Sequence, residues 1–340
     1  MCTYIVRFKD LSIMDVNGRG NIWFAVVNVY AASKKASAKW SEASKILKAK
    51  NIDFHSCRTG GSGNAEQITF DACSAGYRKF IAVGGDGTVH DVLNGIVTFV
   101  RWSEGKFSLA DFTIGVIPVG SGNDWIKTLG ITNDISKAID VIADGCVSRQ
   151  DVVKVGIVDP ADADVNVFDS YMANIGGVGI DARVCERVNA KKREGKRGKI
   201  LYVTSLIHAI SHRKPAGARV ECDGVTVFDG NYLSMAFGVG KYSGGGMRQT
   251  PAAVLDDGLL DMTIIPDLPL GRIACEVPRL FTGTFLEVPE LVVAKAKTVI
   301  VWPHEGSSAE PVEVDGEVVG RAPVRFDVLD DQINVLVPKS

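Results

Sequence analysis

The chain has 340 residues, with 38 Lys and Arg against 40 Asp and Glu for a net charge of −2, and 46% of it is hydrophobic. This is the composition of a globular protein long enough for two domains, and it excludes attraction to nucleic acid through overall charge. The 7 cysteines contain no Cys-x-x-Cys, so they read as reduced thiols with no zinc site. No apolar run approaches the roughly 18 residues of a membrane span.

Residues 1–21 are poorly patterned and read as an appended leader. Ile22 to Val29 is an apolar, β-rich first strand. Ser33 to Lys50 has helical spacing at Ala36, Trp40, Ala43, Ile46 and Leu47. Ile52 to Cys57 reads as a second strand, followed by a glycine loop from Thr59 to Asn64 and a helix over Ala65 to Ala75. The run Phe80-Ile81-Ala82-Val83 then leads into Gly84-Gly85-Asp86-Gly87-Thr88 and a helix to about Val100. Strand, tight loop and helix N-terminus form the geometry that receives a phosphate, although an ordinary β-α turn has the same local pattern. Thr88 with Asp91 three residues later predicts a capping box. Phe112 to Val119 reads as a fourth strand. It ends in a second glycine loop, Gly120-Ser121-Gly122-Asn123-Asp124, where Ser121 and Asp124 repeat the capping spacing. A short helix over Asp134 to Ala143 ends at Gly145. This alternation predicts a parallel α/β sheet, and ligands of such sheets bind beyond the carboxyl ends of the strands. Both glycine loops fall there, which predicts a nucleotide cleft.

From about Gln150 the period changes. Strands are predicted over Val152 to Val158, Tyr171 to Ile175, Arg219 to Cys222, Val225 to Phe228, Tyr232 to Val239 and Leu259 to Ile265. Further strands follow over Thr298 to Trp302, Val312 to Val314, Val324 to Leu329 and Ile333 to Val337. Asp223-Gly224 and Asp315-Gly316 are hairpin turns by composition. One helix, Gly198 to Arg213, interrupts this mostly antiparallel β domain. The basic run from Arg187 to Lys199 before it fits a solvated loop, or a site docking on anionic lipid, where each basic residue near the surface adds about 1 kcal/mol. Leu201, Tyr202, Leu206 and Ile207 on the helix fit a core, with part of that face able to meet acyl chains.

Four segments in this order resemble the diacylglycerol kinase catalytic-domain family, which includes the sphingosine kinases and soluble bacterial lipid kinases. They are Gly84-Gly85-Asp86-Gly87-Thr88 with Asn94-Gly95; Pro118 to Asp124; Gly244-Gly245-Gly246-Met247 followed by Pro251 to Asp261; and Val314-Asp315-Gly316-Glu317. The first segment is shared with the NAD kinases and, more loosely, the phosphofructokinases; the second and third together are specific to the lipid kinases. The resemblance runs from about Ile22 to the C-terminus. It implies a Rossmann-like parallel α/β domain over 22–150, NAD kinase- and phosphofructokinase-like and completed by 326–340, with an antiparallel β-sandwich over 151–325 for the lipid. It implies ATP and Mg²⁺ as cofactors and transfer of the γ-phosphate of Mg-ATP to a lipid hydroxyl, with diacylglycerol the first acceptor and phosphatidic acid the product. A sphingoid base or monoacylglycerol is the alternative acceptor. A catalytically silent nucleotide- or lipid-binding homologue is the alternative from another class. The expected partner is a lipid presented at a membrane surface. The expected location is the cytoplasm, in peripheral association with the inner face of the membrane; a homodimer stays open.

The resemblance also implies roles for single residues. Gly84, Gly85, Gly87 and Thr88 offer backbone N–H groups to phosphates. Asp86 beside phosphate calls for an intervening cation, which points to Mg²⁺. Gly120, Ser121, Gly122 and Asn123 would wrap the nucleotide, with Asp124 a second and Asp151 a third carboxylate of the Mg²⁺ network. The carboxylate of Asp257 and the carbonyls of Val254 and Leu259 would hold a structural Mg²⁺. Asp315 would be the general base for the acceptor hydroxyl, although the same residues make a clean hairpin turn. Glu317 projects from the same face and reads as its neighbour. The family's first strand usually ends in Asn-Pro-x-Ser-Gly; here Asn28 and Ser33 are kept while Pro and Gly are missing, which alters a loop that holds the phosphates. Thr59 matches a nucleotide-contacting threonine. His90 reads as a surface or packing histidine with no chemical role.

Overall fold

The computed structural model describes residues 16–29, 35–60, 64–120, 122–160, 162–194, 199–212, 216–276 and 278–339. The expectations placed on Ser33, Ser121, the side chain of Tyr202 and the 195–198 part of the basic run lie outside the described residues. So does most of the leader.

A six-stranded sheet runs in the order Phe54–Arg58, Trp23–Val27, Lys79–Gly84, Thr113–Pro118, Ile333–Leu336, Val147–Gln150. Its first five strands are parallel and the last is antiparallel. Ala25, Val27, Ile81 and Ile117 pack on the helices Lys35–Ala49 and Ile135–Asp144. Val26, Phe80, Ala82 and Val116 pack on the other face with Leu93 and Ile96 of the helix Asp86–Trp102. Burial on both faces is why these strands read as continuous apolar runs. The carboxyl ends of four adjacent strands lie side by side, and Asn28, Thr59, Gly85 and the 118–124 loop emerge from them.

The second sheet has eleven strands, all paired antiparallel, wrapped around a core that includes Val155, Val178, Phe237, Val299 and Phe326. Its hairpins turn at Asp223-Gly224 and Asp315-Gly316, where all four residues have positive φ (48°, 81°, 51° and 88°). The primed turn of a two-residue hairpin asks for that conformation. Among the described residues no helix is long and apolar enough to cross a membrane.

Several local expectations are corrected. The single strand over Tyr171 to Ile175 is a junction between two strands, Asp162–Met172 and Ile175–Gly179, and the bend at Ala173-Asn174 frees two backbone N–H groups for other work. Val225–Gly238 is one continuous strand whose irregularities near Phe228 and Ser234 mimic a break in the sequence pattern. The first part of the basic run closes a helix, Ile180–Arg193, whose polar composition hides it. Three strands, Val147–Gln150, Val292–Ala296 and Glu317–Arg321, are too short and too exposed to leave an apolar signature.

Candidate active site

The helix Asp86–Trp102 begins one turn earlier than the capping pattern suggests. Its N-cap is Gly85, with no side-chain cap. Thr88 lies inside the first turn, and its Oγ1 accepts from Asn28 Nδ2 at 3.0 Å, tying the first strand to the loop. Gly84 must be glycine there, because a Cβ would sit 2.1 Å from Thr88 Oγ1. Of the first-turn N–H groups, that of Thr88 already donates to the Gly85 carbonyl at 2.9 Å; those of Asp86 and Gly87 carry the positive dipole end that favours an anion.

The two glycine loops touch. The Gly120 and Val119 N–H groups donate to the Gly84 carbonyl at 3.1 and 2.8 Å, and a Cβ on Gly120 would lie 2.8 Å from Gly85 Cα. Asp86 fastens them together: Oδ2 accepts the Asp124 N–H and Oδ1 the Trp125 N–H, both at 3.0 Å. Asp124 stands at the N-cap of the short helix Trp125–Thr128. Burial pushes the Asp86 carboxyl up. The two backbone N–H bonds oppose this, and the nearby charges of Asp124 and Asp315 add to it. Asn123 has φ 51° and hydrogen-bonds Gly120 O and Asn133, while its buried Oδ1 has no partner among the described residues. Nor, among the described residues, does the buried hydroxyl of Thr59. Both orphaned atoms lie on the loops assigned to the nucleotide.

The third glycine segment closes over the second. Gly245 N–H donates to Asp124 Oδ2 at 2.7 Å, and Lys127 Nζ meets Asp124 Oδ1. In the Asp315 turn, Oδ2 of Asp315 accepts the Ala173 N–H at 2.8 Å and its Oδ1 the Asn174 N–H at 2.9 Å, the two groups freed by the strand bend. His90 Nδ1 lies 3.2 Å from the same Oδ2. His90 is therefore buried against the candidate base, contrary to its reading as a surface or packing residue. Glu317 is exposed and faces the same helix, 3.6 Å from where a Gly87 Cβ would stand. Asp124 and Asp315 thus stand near enough for their charges to act on Asp86, and Glu317 stands beside Gly87 in the next position of the same helix.

Asp151 and Asp257 belong to a different group. Asp151 is buried, with Oδ2 accepting the Gly258 N–H and Oδ1 the Gln332 amide, each at 2.8 Å. Burial raises its carboxyl pKa, the Gln332 and Gly258 bonds oppose this, and Asp257 and Asp256 add to it. Asp257 accepts from Lys295 at 3.1 Å and from the Leu259 N–H at 3.1 Å, so an ammonium stands beside the carboxylate assigned to structural Mg²⁺. Val254 is exposed at the same turn. Among the described residues no group of three or more Asp, Glu, His or Cys could by itself hold a metal. The carboxylate oxygens of Asp86 and Asp124 fit a hard cation that takes its remaining oxygens from phosphate and water, the usual mode for Mg²⁺.

Sequence reading also missed a hollow in the β domain. It is lined largely by apolar side chains, among them Leu206, Leu233, Met247, Ile265 and Phe285. One wall is polar: partly buried Asp181 accepts from Ser234 Oγ at 2.7 Å and Gln249 Nε2 at 2.9 Å. The strand Ile175–Gly179 separates this wall from the Asp315 hairpin. A Cβ on Gly177 would lie 3.4 Å from Asp181 Cβ and 3.2 Å from Glu313 Oε1.

Residues 23–155 match the family described as the diacylglycerol kinase catalytic domain, and residues 175–337 match the YegS C-terminal NAD kinase beta sandwich-like domain. The chain is 28% identical to a diacylglycerol kinase of Staphylococcus carnosus over 281 residues, 83% of each chain. It is 24% identical to a diacylglycerol kinase of Mycobacterium tuberculosis over 294 residues, 86% of this chain and 87% of the other. The crystal structure of a diacylglycerol kinase from Bacillus anthracis str. Sterne shares the fold, with a TM-score of 0.70 at 22% identity over 94% of this chain and 97% of that one.

Proposed function

We propose that this chain, which belongs to the diacylglycerol kinase catalytic-domain family, transfers the γ-phosphate of Mg-ATP to the hydroxyl of a lipid, with diacylglycerol its first acceptor. The observation that carries this reading is that one helix, Asp86–Trp102, joins the glycine loops through Asp86 to Asp315 through His90. Glycine loops bound together by Asp86 receive the phosphates, and Asp315 stands held by Ala173, Asn174 and His90. Phosphoryl transfer asks chiefly for positioning and charge neutralisation. The helix N-terminus and the 120–124 loop supply the first. Mg²⁺ held by Asp86 and Asp124 with the phosphate oxygens would supply the second. Asp315 accepts the hydroxyl proton.

The hollow behind the Asp315 hairpin supports an apolar acceptor. Its lining is almost wholly apolar, and its polar Asp181 wall lies on the side of the hairpin. Arg187 and Lys191 lie beside His208 and His212, and Ile207 is 62% exposed. Slight burial and then the charges of Arg187, His212 and Lys191 hold the His208 pKa below its ordinary value. A basic helix pair with an exposed aliphatic residue suits docking on an anionic membrane face. An assay with γ-labelled ATP over diacylglycerol, monoacylglycerol, sphingoid base and a soluble alcohol tests the function. Label is expected in diacylglycerol first; label in no lipid would favour a silent binding protein.

A further inference from the structure

The helix Asp86–Trp102 carries three long-range contacts on one face. Asp86, His90 and Asn94 are four residues apart and stack one turn above another. Asp86 holds the second glycine loop, and His90 touches Asp315. Asn94 exchanges two hydrogen bonds with the Tyr171 backbone, giving to its carbonyl at 2.8 Å and accepting its N–H at 2.9 Å. One helix face therefore joins the phosphate loops, the candidate base and the β strand beside the base.

The hydrogen bonds leave the Asp315 oxygens unequal. Oδ2 receives both the Ala173 N–H and His90 Nδ1, whereas Oδ1 receives the Asn174 N–H and keeps a lone pair. The surroundings of His90 select its tautomer. Both amide hydrogens of Asn94 go to carbonyls, of His90 and Tyr171, each at 2.8 Å. Asn94 Nδ2 also lies 3.4 Å from His90 Nε2, where a second N–H would oppose it. The neutral ring thus carries its hydrogen on Nδ1, facing Asp315. Burial lowers the pKa of the ring, but the hydrogen bond and charge of Asp315, with Asp91 and Glu317, carry it above its ordinary value.

We propose that His90 is a positioning residue of the transfer step: its Nδ1–H engages Oδ2 of Asp315 and so presents the free lone pair of Oδ1 to the acceptor hydroxyl. This rests on the lipid-kinase reading above. In the step, the hydroxyl oxygen bonds to the γ-phosphorus and its proton passes to Oδ1. The bond from the γ-phosphorus to the bridging oxygen breaks, and its electron pair stays on ADP. His90 keeps its Nδ1 proton throughout. A second proton on Nε2 would make it an imidazolium, hold the carboxylate charged and oppose that transfer, so the neutral ring is the working form.

The test compares His90→Asn, whose amide N–H can replace Nδ1–H, with His90→Leu, which cannot donate. Both should bind ATP with unchanged KM and melt as cooperatively as the unaltered protein. His90→Leu should lose about ten- to a hundredfold in kcat, the scale of a small misplacement of a reacting group, and His90→Asn should largely restore it. The unaltered protein should lose kcat as pH falls through the His90 titration, and His90→Asn should lack that limb. Equal impairment of both variants with an unmoved pH profile would reduce His90 to packing. A His90→Leu variant with full kcat, beside an inactive Asp315→Asn, would overturn this role while leaving the base assignment standing. A full rate in Asp315→Asn would overturn the base and this role together.

Discussion

The carboxylate of Asp86 accepts the backbone N–H of Asp124 at 3.0 Å, across 38 residues of chain, and thereby ties two glycine loops into one wall. Asp86 has two consequences in one side chain. It satisfies the buried N-terminus of the Trp125–Thr128 helix, and under the proposed function it sets a carboxylate beside the arriving phosphate. Replacing it with Ala leaves two N–H groups without acceptors, at about 1–3 kcal/mol for each buried group. Asp86→Ala should therefore lower the melting temperature and weaken Mg-ATP binding together. Calorimetry that finds unchanged nucleotide affinity in a destabilised variant would confine Asp86 to the first role.

Glu313 is a buried carboxylic acid two residues before the candidate base. Its Oε2 accepts the Gly316 N–H at 2.8 Å. Burial carries its pKa well above the ordinary range; the Gly316 bond opposes this, and Asp181, Asp315 and Glu317 add to it. An acid whose pKa is higher folded than unfolded binds more protons when folded, so its contribution to stability declines as pH rises from the unfolded value toward the folded one. Glu313→Gln removes that ionisation. The stability difference between the variant and the unaltered protein should therefore shift in favour of the variant from pH 5 to pH 8, in denaturant titrations run in parallel. A difference independent of pH would show that Glu313 ionises without cost.

Arg187 and Lys191 stand on the helix Ile180–Arg193 and electrostatically reach His208 on the next helix. Arg187→Glu with Lys191→Glu should lower binding to vesicles of anionic lipid, and the difference should shrink as salt rises, because exposed charges are screened over about 8–10 Å at physiological ionic strength. Transfer to a soluble acceptor should stay unchanged. Vesicle binding that ignores both charge and salt would remove this face from membrane docking.

The parts of this arrangement differed in how far they could be read from sequence. The glycine loops were legible because an apolar strand followed by glycines and a helix is a local pattern, and burial on both sheet faces strengthened it. The Asp315-Gly316 turn was legible from two residues, and in the structure the turn and the candidate base coincide, since positive φ at Asp315 aims its carboxylate at the bend after Met172. The pairing of Asp315 with His90 was not legible: 225 residues separate them, and a histidine in an amphipathic helix has many ordinary explanations. Asp151 is assigned to the Mg²⁺ network by resemblance alone, and its hydrogen bonds join it to Gly258 and Gln332. The hollow left no signal, because Leu233 and Met247 look alike in a sequence whether they fill a core or line a space.

The central claim is that Asp315 takes the proton of the acceptor hydroxyl. Asp315→Asn is its cleanest probe, because Asn tolerates the positive φ that Ala resists. Single-turnover transfer of γ-labelled phosphate to diacylglycerol should fall by about 10²–10⁴-fold in this variant, the range of a lost general base, while ATP affinity stays near that of the unaltered protein; the melting temperature should fall, because the amide leaves one of the Ala173 and Asn174 N–H groups without an acceptor. Transfer at the normal rate in the folded variant, with ATP binding intact, would contradict the account.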